Sequence, residues 1–114
     1  MIERIDPTPT FSRAVKHNGV IYFTGHCDGG KHATIAEQTE ALLRRYEELL
    51  ELHGSDKNHL LFVTIYISDL SLKEEMNQVW NAWLNPGCAP ARVCVEAKIP
   101  EGYLLEMCVT AEIK

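Results

Sequence analysis

Residues 60–67 read Leu-Leu-Phe-Val-Thr-Ile-Tyr-Ile, a nearly continuous apolar run. A run of this length, rich in β-branched and aromatic residues, is typical of a β-strand that is buried on both faces. The run therefore predicts a strand in the interior of a sheet, with further structure on both sides of it. The segments before and after this run each predict a helix.

The segment before this run predicts a long amphipathic helix. Thr34 and Glu37 have the spacing of a capping box, which satisfies free backbone N–H groups at a helix start. Gly54 is typical of the residue just beyond a helix end. The residues that share one helical face are Ile35, Leu42, Leu43, Tyr46, Leu49, Leu50 and His53.

The segment after the run predicts a second helix. Ser71 and Glu74 have the spacing of another capping box, and Asn85-Pro86-Gly87 is typical of a helix stop. The apolar residues at helical spacing between these signals are Leu72, Met76, Val79, Trp80 and Trp83. We expect the two tryptophans to be core residues.

The N-terminal part predicts a β-hairpin. Asn18-Gly19 is the strongest short hairpin signal, and it joins the candidate strands Phe11–His17 and Val20–Thr24. The first ten residues, MIERIDPTPT, are charged and turn-like. Phe11 and Tyr22, near the hairpin, are expected to be packing residues.

Two further strands are predicted at residues 92–99 and 104–113, joined by the turn Pro100-Glu-Gly102. As a simple hairpin, they would place Arg92 across from Glu112 and Lys98 across from Glu106. Cross-strand ion pairs of this kind contribute about 0.2–1 kcal/mol each. The alternative is that Arg92 grips a ligand carboxylate, with another carboxylate nearby to handle water.

The predicted order is β-β-α-β-α-β-β. A strand-helix-strand crossover within one sheet is normally parallel and right-handed, so both helices are expected on one face of a mixed sheet. No further elements are left for the other face. A partner subunit is the obvious cover for it.

Length and charge limit the function classes. The 114 residues suit a single domain, 1–114, and the net charge of −5 offers little for binding nucleic acid or an anionic membrane. No secretory h-region or membrane span is present, so we expect a cytoplasmic protein. The four cysteines are irregularly spaced and are expected to be reduced.

Metal and nucleophile chemistry have little support in the sequence. His26, Cys27, Asp28 and His32 are metal-ligand types without a tight ligand spacing, so we expect a solvated loop and no metal. Cys94 has no histidine beside it in sequence to activate it, which favours a small buried cysteine over a nucleophile.

Several motifs together resemble the reactive intermediate deaminase family (RidA, also called YjgF). These are Pro90-Ala-Arg-Val-Cys-Val-Glu96, Glu106 fourteen residues after Arg92, Thr24-Gly25, Glu37-Gln-Thr39 and Met76-Asn77. The resemblance covers essentially the whole chain. The tryptophan-rich second helix and the short loop before Pro90 look like a branch distinct from the best-studied deaminases.

The resemblance implies an α+β fold and an oligomer. The implied fold is a chorismate-mutase-like mixed β-sheet with two helices on one face, in which the last strand inserts between earlier strands. The implied assembly is a homotrimer whose sheets enclose a central barrel, with ligand pockets between subunits. In such a fold the simple hairpin and its ion pairs would not form.

The resemblance also implies hydrolysis of 2-imino and 2-enamino acids, such as 2-iminopropanoate, to 2-keto acids and ammonia. Arg92 would hold the substrate carboxylate and Glu106 would position the water, without a cofactor. Backbone groups of Cys94 and Gly25 would bind substrate or water. Thr24 and Asn77 would line the pocket.

Phe11 stands where the deaminases have a tyrosine, so one hydroxyl is missing from the implied pocket, although the ring is still placed to stack over a ligand. The alternative function is a trimeric binding or regulatory module that holds a small carboxylate without turnover. A ribonuclease or translation inhibitor, also attached to this family, is disfavoured by the acidic net charge.

Overall fold

The computed structural model describes residues 1–114 and consists of a six-stranded mixed sheet and two α-helices. The α+β class is therefore confirmed. The strands are β1 (Glu3–Pro7), β2 (Ser12–His17), β3 (Val20–Phe23), β4 (Leu60–Ile67), β5 (Ala91–Glu96) and β6 (Leu105–Glu112). The helices are α1 (Ile35–Leu52) and α2 (Lys73–Trp83).

The last strand lies in the middle of the sheet, whose order is β1-β2-β3-β6-β4-β5. Strand β6 is antiparallel to both β3 and β4, while β4 and β5 are parallel, as predicted for a crossover through α2. The predicted hairpin of the last two strands is wrong, because β4 separates them. The ion pairs Arg92–Glu112 and Lys98–Glu106 do not form for the same reason.

Alternation along β4 and β6 defines two faces of the sheet. Val63, Ile65 and Ile67 of β4 are fully buried, and so are alternate residues of β6 from Leu105 to Ala111. These residues pack under α1 and α2 in one hydrophobic core. We call this side the helix face and the opposite side the open face.

The open face has no layer above it within the chain. Four apolar side chains there are 41–47% exposed: Tyr22, Phe62, Val93 and Val95. The prediction that β4 is buried on both faces is thus wrong for the single chain, because both helices lie on the helix face. The expectation that Tyr22 is a packing residue is likewise wrong within one protomer.

The charged N-terminal segment forms a strand that the sequence pattern did not predict. β1 pairs antiparallel with β2 at one edge of the sheet, with Ile5 opposite Ala14. It is short, charged and ends in proline, which is typical of an edge strand that must not pair further. At the other edge of the sheet lies β5.

The two helices start differently. Thr34 Oγ1 accepts the Glu37 N–H at 3.1 Å and Glu37 Oε1 accepts the Thr34 N–H at 3.3 Å, so the first capping box is confirmed. The second is wrong: α2 begins at Lys73 after a 3₁₀ turn, without a side-chain cap. The Asp69 carboxylate accepts the Ser71 N–H at 2.9 Å and begins the 3₁₀ turn instead.

All four cysteines are unpaired, in agreement with the expectation that they are reduced. Neither helix has the length and apolar character that crossing a bilayer would require.

This difference between the helices predicts unequal effects of two matched substitutions. Thr34→Ala should lower the free energy of unfolding by about 1 kcal/mol, the usual cost of losing an N-cap. Ser71→Ala should change it by less than about 0.5 kcal/mol, as expected of an exposed site that caps nothing. Urea denaturation of both variants measures the difference, and equal losses would contradict these helix starts.

Candidate active site

Glu106 lies on the open face of β6 and packs against Gly25. A Cβ atom added to Gly25 would lie 2.6 Å from Glu106 Oε2 and 2.9 Å from its carboxyl carbon. Gly25 does not have a positive φ, so this position requires glycine for space and not for backbone conformation. The bare backbone at Gly25 thus allows the carboxylate to lie directly on it.

A backbone irregularity places Gly25 in this position. Tyr22 pairs with Thr110, but His26 pairs with Met107, so the three residues 23–25 lie opposite the two residues 108–109. This is the geometry of a β-bulge, which redirects the chain beside a functional side chain. Reciprocal bonds of 2.9 Å between the His26 and Met107 backbones close the irregularity.

Tyr46 of α1 supports the same segment from the helix face. Its buried hydroxyl donates to the Met107 carbonyl at 2.8 Å and lies 3.3 Å from the Thr24 carbonyl. Burial raises the pKa of Tyr46, so the hydroxyl stays protonated and remains a donor. Sequence analysis identified Tyr46 only as an apolar-face residue, because periodicity does not show what its hydroxyl contacts.

Cys108 lies two residues from Glu106 on the same face. Burial, and then the negative charge of Glu106, raise the pKa of the Cys108 thiol. The thiol is therefore protonated at neutral pH and is a poor nucleophile. Glu106, and not Cys108, is therefore the candidate acid–base group on this part of β6.

Arg92 lies at the start of β5, on the helix face. Its guanidinium carbon is 5.3 Å from the centre of the Trp80 ring, and the arginine is half-buried. A guanidinium at this distance from an indole face is held by a cation–π interaction, which leaves its N–H donors free. Trp80 was expected to be a core residue, which its burial confirms, but its support of Arg92 was not foreseen.

Cys94 and Asn77 lie on the same side of the sheet as Arg92. Cys94 packs partly buried against the core, in agreement with a small cysteine there. The Asn77 side chain extends from α2, three residues before Trp80, and its buried Oδ1 has no hydrogen-bond partner. An unpaired buried amide oxygen costs free energy, so it is a candidate acceptor for a ligand.

Phe11 lies in the β1–β2 connection and is 51% exposed, so the expectation that it packs within the chain is wrong. Thr8 positions it: Thr8 Oγ1 accepts the Phe11 N–H at 3.0 Å, and the Phe11 carbonyl accepts the Thr8 N–H at 2.7 Å. The turn thus presents an exposed aromatic ring just before the start of β2.

The candidate site residues fall into two groups within the chain. Gly25 and Glu106 form one group on the open face, whereas Arg92 aligns with buried Val63 on the helix face. Because Glu106 aligns with Tyr66, an odd number of residues from Val63, Arg92 and Glu106 point to opposite sides of the sheet. Neither takes part in any ion pair or side-chain hydrogen bond of the chain.

The loop after His26 is more ordered than the sequence suggested. Asp28 is buried, and its carboxylate accepts the Gly30 N–H at 2.8 Å and the His32 N–H at 3.2 Å. These hydrogen bonds lower the pKa of Asp28 against the opposing effect of burial. The expectation of a solvated loop holds for residues 29–33, which are exposed, but not for His26 and Asp28, which are buried. No three metal-ligand side chains of the chain come together.

Substitution of Gly25 tests the packing of Glu106. In Gly25→Ala the new methyl group should force the Glu106 side chain into another rotamer, at a cost below about 1.5 kcal/mol because that side chain is flexible. A crystal structure of the variant measures the carboxylate position. Cys27→Ala, in the same loop, is the control that should leave it unchanged; an unmoved carboxylate in Gly25→Ala would contradict the contact.

Comparisons with known proteins agree with this architecture. The family model described as Endoribonuclease L-PSP matches residues 1–113. A RutC family protein of Haemophilus ducreyi is 32% identical, over 99% of this chain and 97% of its own length. RutC family protein YoaB of Escherichia coli K12 is 34% identical over 98% of each chain.

Solved structures lead to the same family. A member of the YjgF protein family from Neisseria meningitidis superposes with a TM-score of 0.93 and 38% identity, over 100% of this chain and 96% of that one. This agreement extends to the whole sheet and both helices. The chain therefore belongs to the RidA/YjgF family, also called the RutC family.

Proposed function

We propose that this chain is an imine deaminase, which hydrolyses reactive 2-imino and 2-enamino acids to 2-keto acids and ammonia in a homotrimer. The main observation behind this proposal is that Arg92 and Glu106 are both unpaired and lie on opposite faces of one sheet. A site that uses both side chains then needs two copies of the chain, one contributing each face.

The open face supports the oligomer. Exposure to water is unfavourable for a sheet face on which several apolar side chains are more than two-fifths exposed, and covering that face lowers the free energy. Three open faces turned toward a common axis would bury these side chains in a central barrel. For Arg92 and Glu106 to share a site, the edge strand β5 of one subunit must lie next to β6 of its neighbour.

Arg92 would bind the substrate carboxylate. A guanidinium offers two parallel N–H donors to a carboxylate, and contact with the Trp80 ring restrains its position before the substrate arrives. The neighbouring backbone of Cys94 and the free Oδ1 of Asn77 supply further hydrogen-bonding groups. An amide oxygen suits the N–H of an iminium group.

Glu106 of the neighbouring subunit would activate the water. As the water oxygen bonds to C2 of the iminium, Glu106 takes its proton and a carbinolamine forms. Glu106 then returns that proton to nitrogen, the C–N bond breaks and ammonia leaves. Glu106 takes the proton of the hydroxyl as that group becomes the keto group, and then releases it to the solvent or to the ammonia. Gly25 and Thr24 would border this water, and their segment is fixed by Tyr46.

Phe11 would cover the pocket with an aromatic ring where other deaminases place a tyrosine. Its exposure leaves the ring free to contact a ligand. The lost hydroxyl shifts the pocket toward substrates with apolar side chains. A ribonuclease activity, as in the description of the family model, has weak support because the net charge is −5.

Catalysis can be tested with 2-iminopropanoate generated in situ by an amino-acid oxidase. Glu106→Gln keeps the shape of the side chain but removes the base, so kcat should fall by about 10²-fold or more. Arg92→Lys keeps the charge but loses the bidentate geometry, so kcat/KM should fall by about 10-fold or more. Glu112→Gln, on the same strand, should have no effect.

The results separate the deaminase from a binding module. If the wild-type chain forms no keto acid above the spontaneous rate but binds pyruvate through Arg92, the enzyme proposal fails and the non-catalytic carboxylate-binding module replaces it. If Glu106→Gln retains full activity, the role of Glu106 as the base is wrong.

The assembly can be tested by native mass spectrometry of the 12.9 kDa chain. The wild type should be a trimer. Val95→Lys places a charge on the open face and should give monomers, since burying an unpaired ammonium costs several kcal/mol. Leu52→Lys, an equally drastic change at an exposed position of α1, should remain trimeric. A monomeric wild type would overturn the shared site.

A further inference from the structure

A cleft lies on the helix face, between the end of α1 and the N-terminal strands, away from the candidate active site. It has a volume of about 630 Å³ and is lined by ten residues. Its apolar floor comes from Ala14 and Phe23, both buried, and Leu49 of α1 forms part of its wall. This volume and lining suit a small organic molecule.

The cleft has excess positive charge. Arg13 and Arg45 both line it, and neither belongs to an ion pair or a side-chain hydrogen bond of the chain. Asp6 is its only acidic residue. Two guanidinium groups and one carboxylate leave one net positive charge, so the cleft is complementary to a monoanion.

His26 lies at the inner end of the cleft with an unpartnered ring. It is only 7% exposed, its ring makes no hydrogen bond within the chain, and the ring packs edge-on against Tyr46 at 5.3 Å. Burial, and then the charges of Arg45 and Arg13, lower the pKa of His26 to about 4. The neutral ring therefore offers one donor and one acceptor at pH 7.

We propose that this cleft is a second ligand site, which binds a small carboxylic acid with an apolar body. The apolar body lies on Phe23 and Leu49, and the carboxylate accepts hydrogen bonds from Arg45 and from the N–H of the neighbouring His26 ring. The His26 ring makes no hydrogen bond within the chain, so its nitrogens are free to bind a ligand in place of water.

This site is separate from the one proposed for catalysis. Arg92 and Glu106 do not line the cleft, which lies beside α1 and β1–β2 at the opposite end of the sheet from β5. The two sites adjoin through the backbone, because His26 follows Gly25, and through Tyr46, whose ring packs against His26, but they share no lining residue. Occupancy of the cleft can therefore be measured independently of turnover.

Binding is best measured by calorimetry in the Arg92→Ala chain, where the catalytic site has lost its carboxylate anchor. The probes are 4-methylpentanoate, leucine and 3-methylbutylamine, which share one apolar body. The first carries only the carboxylate, leucine adds an ammonium group, and the amine lacks the carboxylate. Arg45→Ala and Arg44→Ala are then compared in that background, since Arg44 neighbours Arg45 on α1 but does not line the cleft.

We expect saturable binding of at least one of the two acids and none of the amine. Arg45→Ala should weaken that binding by about 10-fold or more, as for the loss of a charged hydrogen bond, and Arg44→Ala by less than about 2-fold. Preference for leucine would identify Asp6 as the partner of its ammonium group. Absence of binding by both acids, or equal losses in the two variants, would overturn the proposal.

His26→Phe provides a second, chemically different check. Phenylalanine keeps the packing against Phe23 and Tyr46 and removes both ring nitrogens. Affinity for the bound acid should fall by about 10-fold or more, the value of one hydrogen bond to a charged group. Unchanged affinity would show that the ring does not contact the ligand and would contradict the proposed site.

Discussion

The pairing of β6 with both β3 and β4 is the constraint on which the rest of the structure depends. It joins the N-terminal strands to the crossover unit β4-α2-β5 in one sheet. It also fixes the direction of every side chain on β6, because a shift by one residue would exchange the two faces. Leu105 and Met107 thereby enter the core, and Glu106 between them must face the other way.

The two charged groups of the candidate site are positioned by different contacts. Glu106 lies on a glycine whose position depends on a bulge and on the Tyr46 hydroxyl behind it. Arg92 lies on an indole ring from α2. Both sets of contacts position a charge without neutralising it, so each group remains available to a ligand. Rigid placement of this kind is what hydrolysis by positioned water requires.

Much of the fold was predictable from local pattern. The strand at 60–67, the Thr34–Glu37 capping box and the Asn18-Gly19 turn each depend on neighbours in sequence, and the presence of each is confirmed. The Ser71–Glu74 box failed because Asp69, two residues earlier, supplies a better acceptor for the same backbone. Strand β1 was missed because an edge strand needs no apolar alternation.

The site was only partly predictable. Sequence spacing linked Arg92 with Glu106 through a family resemblance, but parity alone suggested that they were ion-pair residues of one hairpin. Insertion of β4 between their strands is a long-range event that no local pattern encodes. Residues that support the site, such as Tyr46 and Trp80, look like ordinary core residues in sequence, because their polar or π contacts appear only once the chain is folded.

The central claim is that one active site combines Arg92 of one subunit with Glu106 of another. Co-refolding equal amounts of Arg92→Ala and Glu106→Gln chains tests it directly. If the site is shared, the mixture should recover about one quarter of the wild-type deaminase activity, since about one interface in four joins two intact residues. Activity no higher than that of the separate variants would contradict the account.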